Sequence, residues 1–189
     1  MKSIIATIVS LAFISIVNGQ SQGNQTRLNI EVDLIQPILG GFGGSLGVEN
    51  NHFGFGLMAF RTPLSNSSRD IVMNGADNYQ VLNWGVEIYV DYFFKARHTG
   101  FYVGGLLSLD GYEMSNEIHS KETILGLYVV PKVGYRWVMS KQMDWLYLQP
   151  SLALPVLVWD DAPDFQNSDI SLSRVIVLPM LTLGVRLGL

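Results

Sequence analysis

The sequence predicts an all-β fold, a membrane-spanning antiparallel up-and-down β-barrel of about eight strands. Three observations predict it: side chains alternate between apolar and polar, charged residues are few, and no apolar run beyond residue 20 is long enough for a spanning helix. Of the 189 residues, 48% are hydrophobic and 15% are charged, against about a quarter charged in a typical soluble domain. A closed barrel reconciles these observations, because it pairs every backbone group between strands while its apolar side chains face lipid.

The first residues have the pattern of an export signal. Lys2 supplies a basic start, an apolar run extends from Ile4 to Val17, and small and polar residues follow. This order is typical of a cleaved secretory signal peptide. We therefore expect residues 1–19 to be removed, residues 20–26 to form a short polar segment and residues 27–189 to form the barrel. An uncleaved N-terminal membrane anchor is the alternative.

The segment from Trp84 to Phe94 shows the period of two most clearly. Its even-numbered residues are apolar or aromatic, whereas Gly85, Glu87 and Asp91 lie on the opposite face. A strand with one face towards lipid and the other towards a polar lumen has this pattern. The same alternation predicts strands over residues 27–36, 42–50, 53–62, 80–94, 99–110, 122–138, 145–158 and 171–189.

The predicted connections fall into two classes. Short ones lie at residues 50–52, 95–99 and 140–144, and long polar ones lie at 63–79, 111–121 and 159–169. Strict alternation of the two classes is typical of outer-membrane barrels, which have tight periplasmic turns and longer outer loops. Both termini then lie on the periplasmic side, so the strand number must be even.

Two features leave alternatives open. Residues 27–50 form either two strands with a tight outer turn at 36–41 or one long kinked strand. Four prolines lie inside predicted strands, although a closed barrel has no edge strand to accommodate them. They mark either bulges or positions beyond the membrane rim, where the strands separate. These prolines are Pro131, Pro150, Pro155 and Pro179.

The C-terminal residues carry the most specific motif. Thr182 is followed by Gly184, Leu187 and Leu189 at the spacing of the signal by which outer-membrane barrels are inserted, with Leu189 in place of the usual terminal aromatic residue. Together with residues 20–22 after the predicted cut and Leu39-Gly-Gly41 before a glycine-rich strand, this motif makes residues 20–189 resemble small eight-stranded bacterial outer-membrane barrels. In style the chain is similar to uncharacterised members from Bacteroidetes. The resemblance implies contact with outer-membrane lipid and with the barrel-assembly machinery during insertion.

Charged residues on the predicted lumen face form the main candidate site. In an eight-stranded barrel side chains fill the interior, which favours a buried ion-pair network over a pore lining. When the barrel closes, Arg186 is expected near Glu31. By strict alternation Trp145 and Trp159 also fall on the lumen face. The predicted lumen charge network comprises Glu31, Asp33, Glu49, Glu87, Asp91, Lys132, Arg136 and Arg186.

No catalytic, cofactor or metal site is predicted. His119 and Ser120 lie near Glu113, Glu117 and Glu122, the residue types of a lipid-active hydrolase, but their spacing matches no such pattern. The acidic run Asp160-Asp161-Ala-Pro-Asp164 lacks the register and the glycine of a calcium loop. The chain contains no cysteine, which excludes disulfides and thiolate chemistry. A net charge of −4 without a basic tail argues against nucleic acid as a partner.

These observations favour a non-enzymatic outer-membrane protein with a structural or interaction role through its outer loops, and they identify no extracellular partner. The alternative is a narrow pore for ions or small solutes through the charged lumen. A lipid-modifying enzyme and a soluble barrel of the lipocalin type are less favoured, the latter because the polar face is rich in small residues and poor in charge.

Overall fold

The strands close into a single antiparallel barrel in the computed structural model, which describes residues 26–115, 122–140, 142–161 and 170–188. The strands are β1 (Arg27–Asp33), β2 (Phe42–Asn50), β3 (Phe53–Leu64), β4 (Met73–Asn74), β5 (Gln80–Phe93), β6 (Gly100–Ser115), β7 (Glu122–Val138), β8 (Leu146–Ala153), β9 (Val156–Asp160), β10 (Ser171–Leu172) and β11 (Leu178–Gly188). The helices are α1 (Ile35–Ile38) and α2 (Asn66–Val72). Neither helix in these ranges has the length and apolar character needed to cross a membrane.

The barrel wall has eight strand positions. Its order is β6-β5-β3-β2-β1-β11-β8-β7, and pairing of β6 with β7 closes the ring. β9 pairs with β7 beyond the end of β8, so β8 and β9 share one position. β4 and β10 form a separate two-stranded sheet. The predicted closed, antiparallel, eight-stranded barrel is confirmed.

The strand faces follow the predicted alternation. In β5, Val86 and Ile88 are 51% and 56% exposed on the outside of the barrel, whereas Tyr89 and Asp91 are buried inside it. Successive side chains of a strand point to opposite faces, so one face of each strand forms the outer wall and the other fills the interior.

The two ends of the barrel differ in their connections. One end, here the turn end, holds residues 51–52, 94–99 and 139–145 together with the first and last barrel residues, since Arg27 pairs with Gly188. The other, the loop end, holds α1, α2 and the β4–β10 sheet. The first and last residues of the described barrel strands therefore both lie at the turn end, as an even strand number requires.

Residues 27–50 form two strands rather than one kinked strand. β1 ends at Asp33, three residues earlier than predicted, because its Oδ1 accepts a hydrogen bond from the Ile35 backbone N–H at 2.7 Å and the chain turns into α1. Gly40 completes the turn at φ +82°, a conformation that favours glycine. The barrel wall is consequently short at β1, and this short strand leaves an opening in the loop end on that side.

Two predicted strands are shorter in the barrel than expected. The strand predicted at 145–158 is broken at Leu154 and Pro155, where pairing passes from β8 to β9. The strand predicted at 171–189 was wrong in its first part, since residues 171–172 leave the wall and pair with β4. A single bridge joins Val175 to Val156 of β9, and the ladder with β8 begins at Leu178. Apolar alternation alone does not distinguish a wall strand from a short strand that covers the end of the barrel.

Two of the predicted long loops also contain strand or helix residues. The strand β6 continues to Ser115 and pairs with β7 up to Glu122, so residues 111–115 of the loop predicted at 111–121 are strand. The loop predicted at 63–79 contains the end of β3, the whole of α2 and β4. The wall is therefore highest at β5, β6 and β7.

The four prolines lie at interruptions of the ladders. Pro155 is at the break between β8 and β9, and Pro131 lies opposite that break, where its carbonyl accepts a hydrogen bond from the Leu154 N–H at 2.9 Å. Pro150 lies in the gap of the β7–β8 ladder between the pairs Gly134–Ser151 and Trp137–Leu148. Pro179 lies beyond the last β1–β11 pair, where β11 has a strand on one side only. Interrupted ladders therefore accommodate these prolines, and a position of any of them beyond the membrane rim stays a prediction.

Strict alternation predicted that Trp145 and Trp159 face the lumen, and this was wrong for both. Leu127 pairs with Trp159 and Tyr128 with Leu157, so Val158 is an extra bulged residue that reverses the parity beyond it. Trp159 is accordingly 51% exposed, and Trp145 in the turn before β8 is 46% exposed. The predicted signal peptide, Glu117, His119, Ser120, Asp164 and Leu189 lie outside the described residues.

Candidate functional site

Ion pairs fill the barrel interior near the turn end. Glu49 of β2 is fully buried and forms a close ion pair with Arg136 of β7 across the lumen. Arg136 also lies 3.3 Å from a Glu31 carboxylate oxygen and donates a 2.5 Å hydrogen bond from Nε to Gln149. Neutral groups satisfy the carboxylates further, since Asn29 donates to Glu49 at 2.6 Å. We call Glu31, Glu49, Arg136 and Arg186 the ion-pair network.

The ion pairing of Arg186 differs from the predicted one. It lies inside the barrel as expected, but its Nη1 is 3.9 Å from Glu49 Oε2, whereas Glu31 takes Arg136 as its partner. The register explains this, because Glu31 pairs with Gly184 and Arg186 lies two residues nearer the turn end. The Arg186 guanidinium also donates to the carbonyl oxygens of Arg97 at 2.8 Å and of Asp144. It therefore ties two turns to the network.

His98 closes the network at the turn end. Its Nδ1 lies 3.5 Å from Glu49 Oε2, and its Nε2 lies 3.3 Å from the Phe53 carbonyl oxygen. Burial lowers the pKa of His98 below its ordinary value, and the neighbouring Glu49 opposes this only in part. The neutral imidazole has a single N–H to donate, and its hydrogen bond in the structure is with the Phe53 carbonyl oxygen.

Tyrosine rings pack against glycines at the middle of the barrel. A β-carbon at Gly134 would lie 2.5 Å from the Tyr102 hydroxyl oxygen, and one at Gly56 would lie 2.5 Å from Tyr89 Cζ. Tyr147 covers Gly184 in the same way and donates a 2.6 Å hydrogen bond to Glu31. These rings take up the space that glycine leaves free, so that the lumen is packed.

The pair Lys132 and Asp91 lies in the same layer. Lys132 Nζ is 3.0 Å from Asp91 Oδ1 and 4.9 Å from the centroid of the Tyr89 ring. The ammonium is thus held by one carboxylate and by the negative face of an aromatic ring. Both side chains are less than a tenth exposed.

An apolar cap fills the highest part of the loop end. Met73 of β4 and Leu172 of β10 pair with each other and are buried together with Met114 and Ile124 of the extended wall strands. Arg69 of α2 is also buried, and it donates 3.2 Å hydrogen bonds to the carbonyl oxygens of Asp77 and Tyr79. The loop-end connections thus form a folded cover with a core of their own.

A cavity of about 190 Å³ lies between this cap and the middle of the barrel. Glu87, Asp110 and Asp33 line it, together with Ser108. The Ser108 hydroxyl lies 3.1 Å from Glu87 Oε1 and closer still to Asp110 Oδ1. Most of the other lining side chains are apolar, so the cavity combines an acidic floor with apolar walls.

A basic depression of about 840 Å³ opens at the turn end. Five basic side chains line it, but Arg136 and Arg186 are already paired inside the barrel and Arg27 lies 3.6 Å from Asp144. Lys95 and Arg97 are exposed. Among the described residues no group of three or more His, Cys, Asp or Glu side chains has the geometry of a metal site.

The structure places all eight residues of the predicted lumen charge network on the interior face, in separate groups. Asp91 and Lys132 form one pair, the ion-pair network forms another group, and Glu87 and Asp33 lie at the cavity. The predicted network omitted Asp110, and charge alone did not single out the neutral residues Tyr89, Tyr102, Tyr147 and Ser108, although the parity of all five along the strands marks them as interior. Of the C-terminal motif, Thr182 faces inwards and Leu187 is 45% exposed.

Comparison with known proteins supports the fold. No family model matches the chain, and no curated protein matches it. Neisserial surface protein A is similar in structure, with a TM-score of 0.50, 12% identity and coverage of 89% of this chain and 98% of that one. A major outer membrane protein from Thermus thermophilus is similar with a TM-score of 0.52, 12% identity and coverage of 88% and 100%. The chain therefore shares the fold of small outer-membrane barrels.

Proposed function

We propose that the protein is a closed, non-enzymatic barrel of the bacterial outer membrane that holds its folded loop end outside the cell as an interaction surface. The observation that carries this proposal is the filled interior. The ion-pair network and the glycine-packed tyrosines occupy the cross-section between the two ends, which supports a scaffold rather than a pore for ions or small solutes.

The outer wall supports a location in lipid. Large apolar side chains are exposed on strand after strand, while the charged ones face inwards, which is the reverse of a soluble barrel of the lipocalin type. The structurally similar Thermus protein is a major outer membrane protein. Exposed wall residues include Leu46, Leu57, Val86, Ile88, Val103, Leu107, Val129 and Val133.

The loop end supports an interaction role, because it is preformed. Arg69 and the β4–β10 pair hold α2 against the barrel, and Ile71 of that helix is 56% exposed. A preordered surface loses little conformational entropy when a partner binds. The name of the Neisserial surface protein is consistent with such a role. Cleavage after residue 19, recognition of the C-terminal motif by the assembly machinery and a Bacteroidetes origin stay predictions.

Planar-bilayer conductance tests the closed lumen. The refolded wild-type protein is expected to insert without channel openings. A control variant with Tyr89, Tyr102 and Tyr147 all replaced by alanine removes the rings that pack against glycine, and openings are expected from it if it shows the heat-modifiable gel migration of a folded barrel. Regular openings from the wild type would replace this proposal with the pore.

Cysteine labelling tests the orientation, since the native chain contains no cysteine. Asp77 at the loop end has an 82% exposed side chain, and Asp144 at the turn end has a 60% exposed one. With a membrane-impermeant maleimide, Asp77→Cys is expected to react in intact cells and Asp144→Cys only after the outer membrane is permeabilised. The opposite pattern would place the loop end in the periplasm.

A further inference from the structure

The two carboxylates on the floor of the loop-end cavity are unequally hydrogen-bonded, since Asp110 Oδ2 accepts a 3.4 Å hydrogen bond from the Tyr112 hydroxyl whereas Glu87 depends on Ser108. Glu87 Oε1 and Asp110 Oδ1 both approach the Ser108 hydroxyl, but a hydroxyl carries one hydrogen and can donate to one of them at a time. Glu87 Oε2 is fully buried and has no hydrogen-bond partner in the described part of the chain. A buried carboxylate oxygen left in this state is costly, so it points to a donor that comes from outside the chain.

No basic side chain is among the described residues that line the cavity. The ammonium of Lys132 is ion-paired with Asp91 at 3.0 Å. In Asp33, the third carboxylate of the lining, Oδ1 accepts the 2.7 Å hydrogen bond from the Ile35 backbone N–H. Glu87 and Asp110 therefore form a floor whose charge complements a cation.

The walls have the opposite character. Met58, which pairs directly with Glu87 across β3 and β5, is apolar, and so are Leu106, Val130 and Met180. They would enclose a hydrocarbon chain above the acidic floor.

The cavity reaches the surface beside the low part of the wall. Among its lining residues Leu39, Ile71 and Leu178 are 40%, 56% and 38% exposed. They lie next to α1, in α2 and at the start of β11, where β1 has already ended. A ligand can thus enter between α1 and α2.

We propose that this cavity binds a small amphiphile with a single ammonium head, which Glu87 and Asp110 hold, and a short alkyl tail, which the apolar walls cover. An ammonium supplies a charge-assisted hydrogen bond to Glu87 Oε2, which has no donor in the described chain, and a positive charge between the two carboxylates. At about 30 Å³ for each water-sized group, the volume of 190 Å³ holds about six such groups. This matches the six non-hydrogen atoms of n-pentylammonium, which is the probe.

Methionine methyl groups report the binding where it occurs. In protein labelled at its methionine methyls and refolded in lipid nanodiscs, n-pentylammonium is expected to give saturable shifts at Met58 and Met180, which line the cavity. Met139 and Met143 at the turn end serve as internal controls and should not shift. Pentanol and pentanoate test the head group, and the amine is expected to bind about tenfold more tightly than the alcohol because its hydrogen bonds to the carboxylates are charge-assisted.

Variants separate the floor from the general negative charge of the loop end. Glu87→Gln and Asp110→Asn are each expected to weaken n-pentylammonium binding about tenfold, whereas Asp77→Asn, which removes an exposed charge outside the cavity, should leave it unchanged. Equal affinity for pentanol and the amine, or equal shifts at Met139 and Met58, would overturn the proposal. Heat-modifiable migration verifies that each variant is folded. A conducting but amine-binding barrel would instead contradict only the closed-lumen function.

Discussion

The two halves of the barrel interior handle buried charge in different ways. At the turn end two carboxylates face two guanidiniums, and Glu49, Arg136 and Arg186 are all less than 5% exposed. At the loop end Glu87 and Asp110 share one serine hydroxyl and line a cavity that has no basic side chain among its described residues. The carboxylates of the first half are held in ion pairs by guanidiniums, whereas those of the second half face a cavity without a cation among its described residues. The comparison locates stability at the turn end and binding capacity at the loop end.

The largest effect is expected from Glu49→Gln. This change keeps the shape of the side chain but leaves Arg136 and Arg186 without their common carboxylate. Loss of one partner of a buried ion pair costs about 3–5 kcal/mol, so the free energy of unfolding in urea, measured on protein refolded in lipid vesicles, should fall by about that amount. Asp144→Asn, which disrupts an exposed pair with Arg27, should cost less than about 1 kcal/mol. Equal costs for the two variants would show that the network does not stabilise the turn end.

Gly134→Ala should have the next largest effect. The new methyl group would lie 2.5 Å from the Tyr102 ring atoms, and overpacking of this kind costs about 1–3 kcal/mol. Gly105→Ala in the neighbouring strand is the matched control, because its β-carbon would meet its nearest heavy atom at 3.6 Å. The same unfolding measurement compares the two. A Gly105→Ala variant as unstable as Gly134→Ala would point to backbone effects rather than to ring packing.

Much of this interior could be predicted from the sequence, because parity is a local property. Glu87 and Asp91 alternate with Val86 and Ile88, and every residue of the predicted lumen charge network lies on the inner face. Partner choice could not be predicted in the same way. Arg186 pairs with Glu49 rather than Glu31 because the register across the closed barrel decides which side chains meet.

Local irregularities limited the prediction elsewhere. A single bulged residue, Val158, reversed the facing of Trp159, and no turn signal in the sequence marks it. Residues 171–172 alternate like a wall strand but pair with β4, because the extended β6 and β7 leave a deep end that an apolar cap can fill. The cavity was missed because it depends on the volumes of facing side chains, which only the closed barrel brings together.

Arg69→Met should have a smaller and more local effect. It removes the guanidinium that donates to the carbonyl oxygens of Asp77 and Tyr79, while its length and apolar character suit the buried position. A loss of about 1 kcal/mol in local stability raises the open population about fivefold, so limited proteolysis between residues 65 and 79 should accelerate by that factor. Arg61→Met, on the exposed side of β3, is the control and should leave the cleavage rate unchanged. If the free energy of global unfolding fell by the same amount, the cap and the barrel would unfold as one unit.

Glu87→Gln is expected to have the smallest effect on stability, and it is the direct counterpart of Glu49→Gln. Both positions are interior carboxylates, but Glu49 is ion-paired with Arg136 and Arg186, whereas no basic side chain is among the described residues that line the cavity at Glu87, so its neutralisation leaves no cation unpaired. The amide also supplies a donor next to the Asp110 carboxylate, and the free energy of unfolding should change by less than about 0.5 kcal/mol or rise. The urea titration used for Glu49→Gln measures both variants in the same vesicles. A cost as large as that of Glu49→Gln would mean that the Glu87 carboxylate is already satisfied within the folded chain, and the distinction between an ion-paired half and a receptive half would then fail.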